Sequence, residues 1–184
     1  MEIHIAMRYN LDMLTVIMEC RDQESELVQT LSGLVSGAVE GLISDVVVLD
    51  HGSSDGSARV ADAAGCKFLG SWDLPSVVHN VRGEWLLVME PGARLQQGWI
   101  EEVMEYVALK REPARFSLSR HYQRPFLIRM LKAPPPLEHG VLLAKRQALK
   151  AARNGMDLAT LVGGLKSIRL NSQVIPARAM RATR

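Results

Sequence analysis

Short, continuous apolar runs alternate with helix-like segments over the first ninety residues. The runs that are typical of strands buried on both faces are Met13–Cys20, Asp45–Asp50, Cys66–Leu69 and Glu84–Glu90. Apolar residues at helical spacing between these runs predict helices over Leu27–Val35 with a stop at Gly37 and Gly41, over Ser57–Ala64, and over Pro75–Val81. Because each strand is followed by a helix within a few residues, the pattern predicts an α/β fold with a mostly parallel sheet flanked by helices.

The second half of the chain has a less regular pattern. Its predicted elements, in chain order, are the helix Gln97–Lys110, the strand Ala114–Ser119, a short basic helix Pro125–Leu131, a stiff break at Ala133–Pro136, the strand Val141–Ala144 and the helix Arg146–Arg153. At 184 residues, the chain is long enough for one domain with a core and too short for two comfortable ones.

Composition narrows the class of protein. Hydrophobic residues make up 47% of the chain and charged residues 23%, which excludes a disordered or fibrous protein. The longest apolar runs are far shorter than the ~20 residues that a membrane-spanning helix needs, and we expect no signal peptide. Two cysteines, Cys20 and Cys66, are too few for a disulfide framework or a four-ligand zinc site. We therefore expect a cytoplasmic protein with two reduced thiols in or near its core.

Charge is distributed unevenly along the chain. Residues 1–105 carry 6 Lys/Arg and 17 Asp/Glu, a net charge of −11, whereas residues 106–184 carry 16 and 3, a net charge of +13. Two solvated faces that attract one another would explain this split, and a basic half could also bind phosphates or an acidic lipid surface. Nucleic acid is not an expected partner, because aromatic residues do not interleave the basic ones.

Four loops follow the predicted strands, and ligands bind at the carboxyl ends of strands in parallel α/β sheets. These loops are Arg21–Glu24, Asp50–Gly56, Leu69–Asp73 and Glu90–Arg94. The second combines carboxylates with backbone N–H groups at a helix start, so it could hold a ribose or base on the acids and a phosphate on the amides. The alternative is a well-capped turn without a ligand. Its glycines do not have the G-x-G-x-x-G spacing, which argues against a nicotinamide cofactor.

Four segments resemble the family 2 glycosyltransferases in order and spacing: Leu14–Leu34, Val46–Gly65, Gly83–Trp99 and Gly140–Ala151. The most specific of the matching motifs is the turn Asp50-His51-Gly52-Ser53-Ser54-Asp55-Gly56 between a strand and a helix. The resemblance covers most of the chain and implies the nucleotide-sugar-binding GT-A fold. It implies a single domain over 1–184, with a nucleotide-binding half at 1–95 and a basic, acceptor-side half at 96–184.

The resemblance also implies roles for individual residues. The positions that it assigns to nucleotide binding are Arg21, Asp22, Glu24, Asp50, His51, Ser53 and Asp55. His51 stands where the family usually has an Asp that hydrogen-bonds a uracil ring. Because a neutral imidazole cannot offer two acceptor oxygens, either the base preference differs or His51 is only a turn residue.

The family's metal-binding Asp-x-Asp motif corresponds here to Glu90-Pro91-Gly92. Glu90 is the residual acid of this motif, and Gly92 has no side chain at the metal-ligating position. One carboxylate is a poor Mg²⁺ site, so we expect no tightly bound metal. Mg²⁺ or Mn²⁺ is implied only for an active enzyme, through a weakened site. For the family's catalytic base the sole candidate is Asp157, which could equally be the N-cap of a helix that starts at residue 158.

Two functions are consistent with this pattern. One is a glycosyltransferase that moves a sugar from a nucleotide-diphosphate donor to a lipid or saccharide acceptor. The other is a catalytically degenerate GT-A-fold pseudoenzyme that acts as a nucleotide-binding or partner-binding regulatory protein. Residues 120–132 combine basic and apolar side chains, so they could contact an anionic membrane surface, a protein partner or a second copy of the chain. Membrane contact would place the protein peripherally at the inner face of the membrane.

Overall fold

A twisted sheet organises the protein, whose computed structural model describes residues 14–122 and 134–181. The strands within these ranges are Leu14–Cys20 (β1), Ile43–Asp50 (β2), Lys67–Leu69 (β3), Trp85–Val88 (β4), Arg94–Leu95 (β5), Ala114–Leu118 (β6), Val141–Ala144 (β7) and Ile168–Ile175 (β8). They lie in the order β3-β2-β1-β4-β7-β6-β8-β5. The pairs β2–β3, β1–β2, β1–β4 and β6–β8 are parallel, and the pairs that involve β7 or β5 are antiparallel.

Helices cover both faces of this sheet. They are Glu24–Val39 (α1), Ser57–Ala63 (α2), Leu74–Asn80 (α3), Trp99–Leu109 (α4), Lys145–Ala151 (α5), Leu158–Gly163 (α6) and Arg178–Arg181 (α7), with a 3₁₀ turn at Arg120–Tyr122. On β1, Val16 and Met18 belong to the core beneath α1 and α4, whereas Ile17 belongs to the core beneath α3, α5 and α6. The expected α/β fold, with central strands buried on both faces, is confirmed.

Strand directions bring several loops to one edge of the sheet. The parallel strands β1, β2 and β4 all end there, and β7 begins there because Val141 pairs antiparallel with Val88. The strands β6 and β8 also end at this edge, since β6 is antiparallel to β7 and β8 is parallel to β6. This carboxyl edge is where the candidate site lies.

Three sequence-based boundaries need correction. Helix α1 does not stop at Gly37 but continues to Val39; a Cβ on Gly37 would lie 2.7 Å from Cη2 of Trp99, so this glycine allows close packing. Helix α4 begins at Trp99 rather than at residue 97, because Gly98 has a left-handed φ of +87°. The strands β5 and β8 were not predicted.

The predicted basic helix Pro125–Leu131 lies outside the described residues, as does most of the segment 120–132. Arg120–Tyr122 forms a 3₁₀ turn, and Arg120 is exposed. Within the ranges 14–122 and 134–181, every helix is too short or too polar to cross a membrane. Contact of this segment with a membrane, a protein partner or a second copy stays a prediction.

Candidate functional site

The loops after β1 and β2 are joined by reciprocal hydrogen bonds. The amide of Asp22 donates to Ser53 Oγ at 2.9 Å, and the amide of Ser54 donates to Asp22 Oδ1 at 2.7 Å. The amide of Glu24 donates to Asp55 Oδ2 at 2.9 Å. The prediction that these two loops converge at one edge of the sheet is therefore confirmed.

Asp22 shapes the turn after β1. Its φ is +50°, a left-handed conformation that aspartate tolerates better than most residues. Besides the amide of Ser54, its Oδ1 accepts from Ser54 Oγ at 3.2 Å and from the amide of Asp55 at 3.3 Å. These bonds hold Asp22 against the β2 loop, with the side chain itself still exposed.

Asp50 turns inward rather than towards solvent. It is only 7% exposed, and its carboxylate accepts from the amides of Gly52 and Ser53 at 3.0 Å and from Ser53 Oγ. Burial by itself would raise the pKa of Asp50, but the hydrogen bonds from Ser53 and Gly52 outweigh burial and lower that pKa. Asp50 is thus an ionised carboxylate that holds its own turn together.

The amides at the start of α2 are occupied by carboxylates. In addition to the bonds above, the amide of Gly56 donates to Glu24 Oε2 at 3.2 Å and the amide of Ser57 donates to Asp55 Oδ1 at 2.9 Å. Hydrogen bonds from Ser57 also lower the pKa of Asp55. The interpretation that these amides are available for a phosphate is wrong, because the acids of the two loops use them. The seven acidic and polar positions of the resemblance form a rigid, self-bonded platform.

His51 is the exposed part of this platform. Its Nε2 lies 3.2 Å from Glu19 Oε2, and its ring makes an edge-to-face contact with Trp72 at a centroid distance of 5.2 Å. Trp72 in turn donates from Nε1 to the carbonyl oxygen of Asp50 at 3.1 Å. Arg21 is also exposed at the end of β1. An aromatic ring, an imidazole and a guanidinium group therefore surround the open side of the two loops.

Trp72 borders a cavity of about 380 Å³ between β3 and α3. Its apolar lining includes Val47, Leu69 and Val77, and Asp73 and Ser76 are among its polar residues. Sequence reasoning singled out the loop Leu69–Asp73 but not Trp72, although a lone tryptophan in a loop at a strand end is a usable signal. It also missed Glu19, which the apolar run of β1 conceals.

Asp157 has the capping role that was one of its two interpretations. Its Oδ1 accepts from the amide of Thr160 at 2.7 Å, at the N-cap of α6. The hydrogen bonds from Thr160 lower the pKa of Asp157, and nearby His51 lowers it further. Helix α6 is anchored to the site by the amide of Leu158, which donates to Glu19 Oε1 at 2.7 Å. A carboxylate with a lowered pKa is a weak proton acceptor, so this environment does not favour Asp157 as a general base.

Gly92 occupies a crowded position after β4. Its φ is +97°, and its amide donates to Thr30 Oγ1 at 2.8 Å and to the carbonyl oxygen of Glu26 at 3.1 Å. A Cβ here would lie 3.3 Å from Cγ of Glu26 and 3.4 Å from Cβ of Ala177. Backbone conformation and packing therefore both require glycine, and a metal-binding side chain would have little room. Within the described residues, no three His, Cys, Asp or Glu side chains cluster closely enough to hold a metal ion.

Arg178 places a cation beside this position. It follows Ala177, and its Nε donates to Glu138 Oε1 at 2.6 Å while its Nη2 donates to the carbonyl oxygen of Tyr122. Glu138 is 3% exposed and lies three residues before β7, beyond the carboxyl end of β4. Sequence reasoning missed Arg178; its general signal was the excess of basic residues in the second half.

Both thiols are expected to react slowly. Burial raises the pKa of Cys20 to about 12 and that of Cys66 to about 11. Because the thiolate is the nucleophile, the folded protein should resist iodoacetamide at pH 8 and both cysteines should react once it is unfolded in urea. Intact mass spectrometry measures the labelling, and rapid modification of Cys20 in the folded protein would contradict its environment. The expectation of reduced cysteines agrees with the structure, in which both are free.

Comparisons with known proteins concern the fold. No family model matches the sequence, and no curated protein matches it at a significant level. Glucosyl-3-phosphoglycerate synthase from Mycobacterium tuberculosis, in complex with Mn²⁺ and UDP-glucose, matches with a TM-score of 0.64 and 12% identity over 95% of this chain and 73% of that one. Its complex with Mn²⁺, UDP and glucosyl-3-phosphoglycerate has a TM-score of 0.61 and 12% identity, over 94% and 74%.

A third structure, S. aureus TarS 1–349, matches with a TM-score of 0.62 and 11% identity over 86% of this chain and 58% of that one. Both of these proteins are GT-A-type glycosyltransferases. Identities of 11–12% carry the architecture but not the chemistry of the site. The sheet order, the converging loops and these structural matches together show that this chain has the GT-A glycosyltransferase fold.

Proposed function

We propose that this protein binds a nucleoside-diphosphate sugar and transfers its sugar without a divalent metal ion. The observation that carries the proposal is the position of Arg178 next to Gly92. In the family resemblance, this end of β4 holds the metal that neutralises the donor diphosphate. Here a glycine replaces the carboxylate, and a guanidinium group stands nearby.

A guanidinium group has the properties that this task requires. It stays charged at physiological pH and can donate two parallel hydrogen bonds to phosphate oxygens. Fixed donors of this kind can stabilise negative charge that develops on a leaving diphosphate. Glu138 holds Nε of Arg178, and the side chain is still 41% exposed, so the rest of the guanidinium group is accessible.

The metal itself does not fit the residues present. Glu90 is the one acid of Glu90-Pro91-Gly92, and an acid at residue 92 would meet Glu26 and Ala177. Mg²⁺ prefers several oxygen ligands, which this end of β4 does not supply. The complexes of the mycobacterial synthase contain Mn²⁺, so the proposal separates this protein from that enzyme in its cofactor.

The nucleoside end of the donor would lie at the platform formed by the loops after β1 and β2. Trp72 offers an aromatic surface on which any base could stack, and His51 and Arg21 offer hydrogen bonds. Asp50 and Asp22 would act by holding these loops in place. The acceptor in this proposal is a lipid or a saccharide, as the family resemblance implies.

A second candidate function follows from Asp157. Because its carboxylate caps α6 and its pKa is lowered, the sole predicted base is poorly suited to take a proton from an acceptor. This favours a nucleotide-binding regulatory protein that does not turn over its ligand. Release of UDP from UDP-glucose in the presence of EDTA, measured over hours with an acceptor panel, separates the two: turnover that Asp157→Asn leaves intact would remove this argument for the regulatory role.

Removing the charge of Arg178 should weaken nucleotide binding. In EDTA, we expect UDP to change the fluorescence of Trp72, because Trp85 and Trp99 are 2% and 3% exposed. The variant Arg178→Gln/Glu138→Gln keeps a neutral hydrogen-bonding pair but loses the cation, and we expect its affinity for UDP to fall about tenfold, or ~1.4 kcal/mol.

The matched control is Arg82→Gln, which removes an exposed arginine paired with Asp45 at the opposite edge of the sheet. We expect this variant to bind UDP as the wild type does. Binding that requires Mn²⁺, or equal binding by the double variant and the wild type, would overturn the proposal.

A further inference from the structure

A second cavity lies between β6 and β8, away from the nucleotide platform. Its volume is about 320 Å³, within the range of small-molecule sites. The residues that line it are Ser117, Leu118, Arg120, Arg169, Leu170, Asn171 and Gln173. Two of these are arginines, and none is an acid. The lining is therefore polar and positively charged.

An irregularity in strand pairing creates this cavity. Arg115 pairs with Arg169, but the next pair joins Ser117 to Gln173. One residue of β6 therefore faces three residues of β8, and the extra residues of β8 bulge out of the ladder. Bulges of this kind often redirect side chains next to binding sites.

Glu102 of α4 fixes the bulge in place. Its Oε1 accepts from the amide of Asn171 at 2.7 Å, and its Oε2 accepts from the amide of Ser172 at 2.6 Å. Burial would raise the pKa of Glu102, but the hydrogen bonds from Ser172 and Asn171 lower it, so the carboxylate stays ionised. The bulge is thus a built feature, held by a charge that these hydrogen bonds satisfy.

Arg169 is oriented by a buried hydroxyl group. Its Nε donates to Ser117 Oγ at 2.8 Å, and Ser117, which is 8% exposed, donates to the carbonyl oxygen of Leu170. Within the described residues, neither Arg169 nor Arg120 has an acidic partner within 4 Å. The nearby acid Glu138 is paired with Arg178.

We propose that this cavity binds the phosphate or carboxylate group of a small acidic molecule. The guanidinium group of Arg169, held by Ser117, would form charge-assisted hydrogen bonds to the anion. Arg120 would close the other side, and Gln173 could donate to a remaining oxygen. The volume admits a phosphate ester or organic acid of a few carbon atoms and excludes a polymer chain from being enclosed.

The cavity also has a position that suits a second substrate. Leu118 and Arg120 are at the carboxyl edge of the sheet, and β6 is two strands from β4, about 10 Å away. That the acid is the sugar acceptor rests on the function proposed above, whereas binding of the acid itself does not.

Titration calorimetry without nucleotide tests the site, with glycerol 3-phosphate and D-glycerate as acidic probes and glycerol as the neutral probe. We expect at least one acid to bind and glycerol not to bind. Arg169→Gln should weaken binding at least tenfold, and Arg120→Gln, which removes an exposed side chain, should weaken it about threefold. Because nucleotide is absent, the result is independent of whether the nucleotide site functions.

The control variant is Arg115→Gln, which removes the same charge from the strand position paired with Arg169 but does not line the cavity. A change of less than twofold is expected. Equal losses in Arg115→Gln and Arg169→Gln would show diffuse attraction instead of a built site and would overturn the proposal. Failure of both acids to bind, or equal binding of glycerol, would also overturn it.

Discussion

Replacing Gly92 by aspartate is expected to destabilise the protein by roughly 4 kcal/mol and not to create a metal site. Two costs combine. A non-glycine residue at a φ of +97° is strained, and the new side chain would enter the buried contact with Glu26 and Ala177. A carboxylate there would also lose water and repel Glu26. Urea unfolding with and without Mn²⁺ measures both effects.

Gly98→Asp is the matched control for this variant. Gly98 also has a left-handed φ, of +87°, but no atom lies within 4 Å of a Cβ built on it. It is the N-cap position of α4, where aspartate is favourable, so the net cost should be at most about 1 kcal/mol. A Gly92→Asp protein that is as stable as the control and is further stabilised by Mn²⁺ would show that the position is an open metal ligand.

The strands that sequence predicted correctly are those buried on both faces. In β1, β2, β4 and β7, continuous apolar runs report burial directly. In contrast, β8 reads Ile-Arg-Leu-Asn-Ser-Gln-Val-Ile, and half of its residues are polar. Its Arg169 and Gln173 line a cavity, and its bulge breaks the alternation that identifies a strand with one buried face.

The site shows the same division between local and distant information. Convergence of the loops after β1 and β2 followed from parallel pairing of neighbouring strands. The direction of each carboxylate did not, because the partners of Asp22 are 31–33 residues away in the chain. Arg178 was missed because its place beside Gly92 depends on β8, which the sequence did not reveal.

Replacing Asp50 by asparagine should cost about 3 kcal/mol of stability at pH 7. The buried carboxylate accepts from the amides of Gly52 and Ser53 and from Ser53 Oγ, and an amide side chain offers one oxygen instead of two. The variant's NH₂ group would also face these donors. Because the turn carries His51 and Trp72 is bonded to the carbonyl oxygen of Asp50, nucleotide binding should weaken as well.

The dependence on pH identifies charge as the cause. The pKa of Asp50 is lower in the folded protein than in the unfolded chain, so its contribution is complete above the unfolded value of about 4 and is lost as pH falls through the folded value. The difference in unfolding free energy between wild type and Asp50→Asn should therefore shrink below pH 4. Asp62→Asn, on the exposed face of α2, should match the wild type throughout. A difference that stays constant from pH 7 to pH 2 would mean that shape, not the ionised carboxylate, holds the turn.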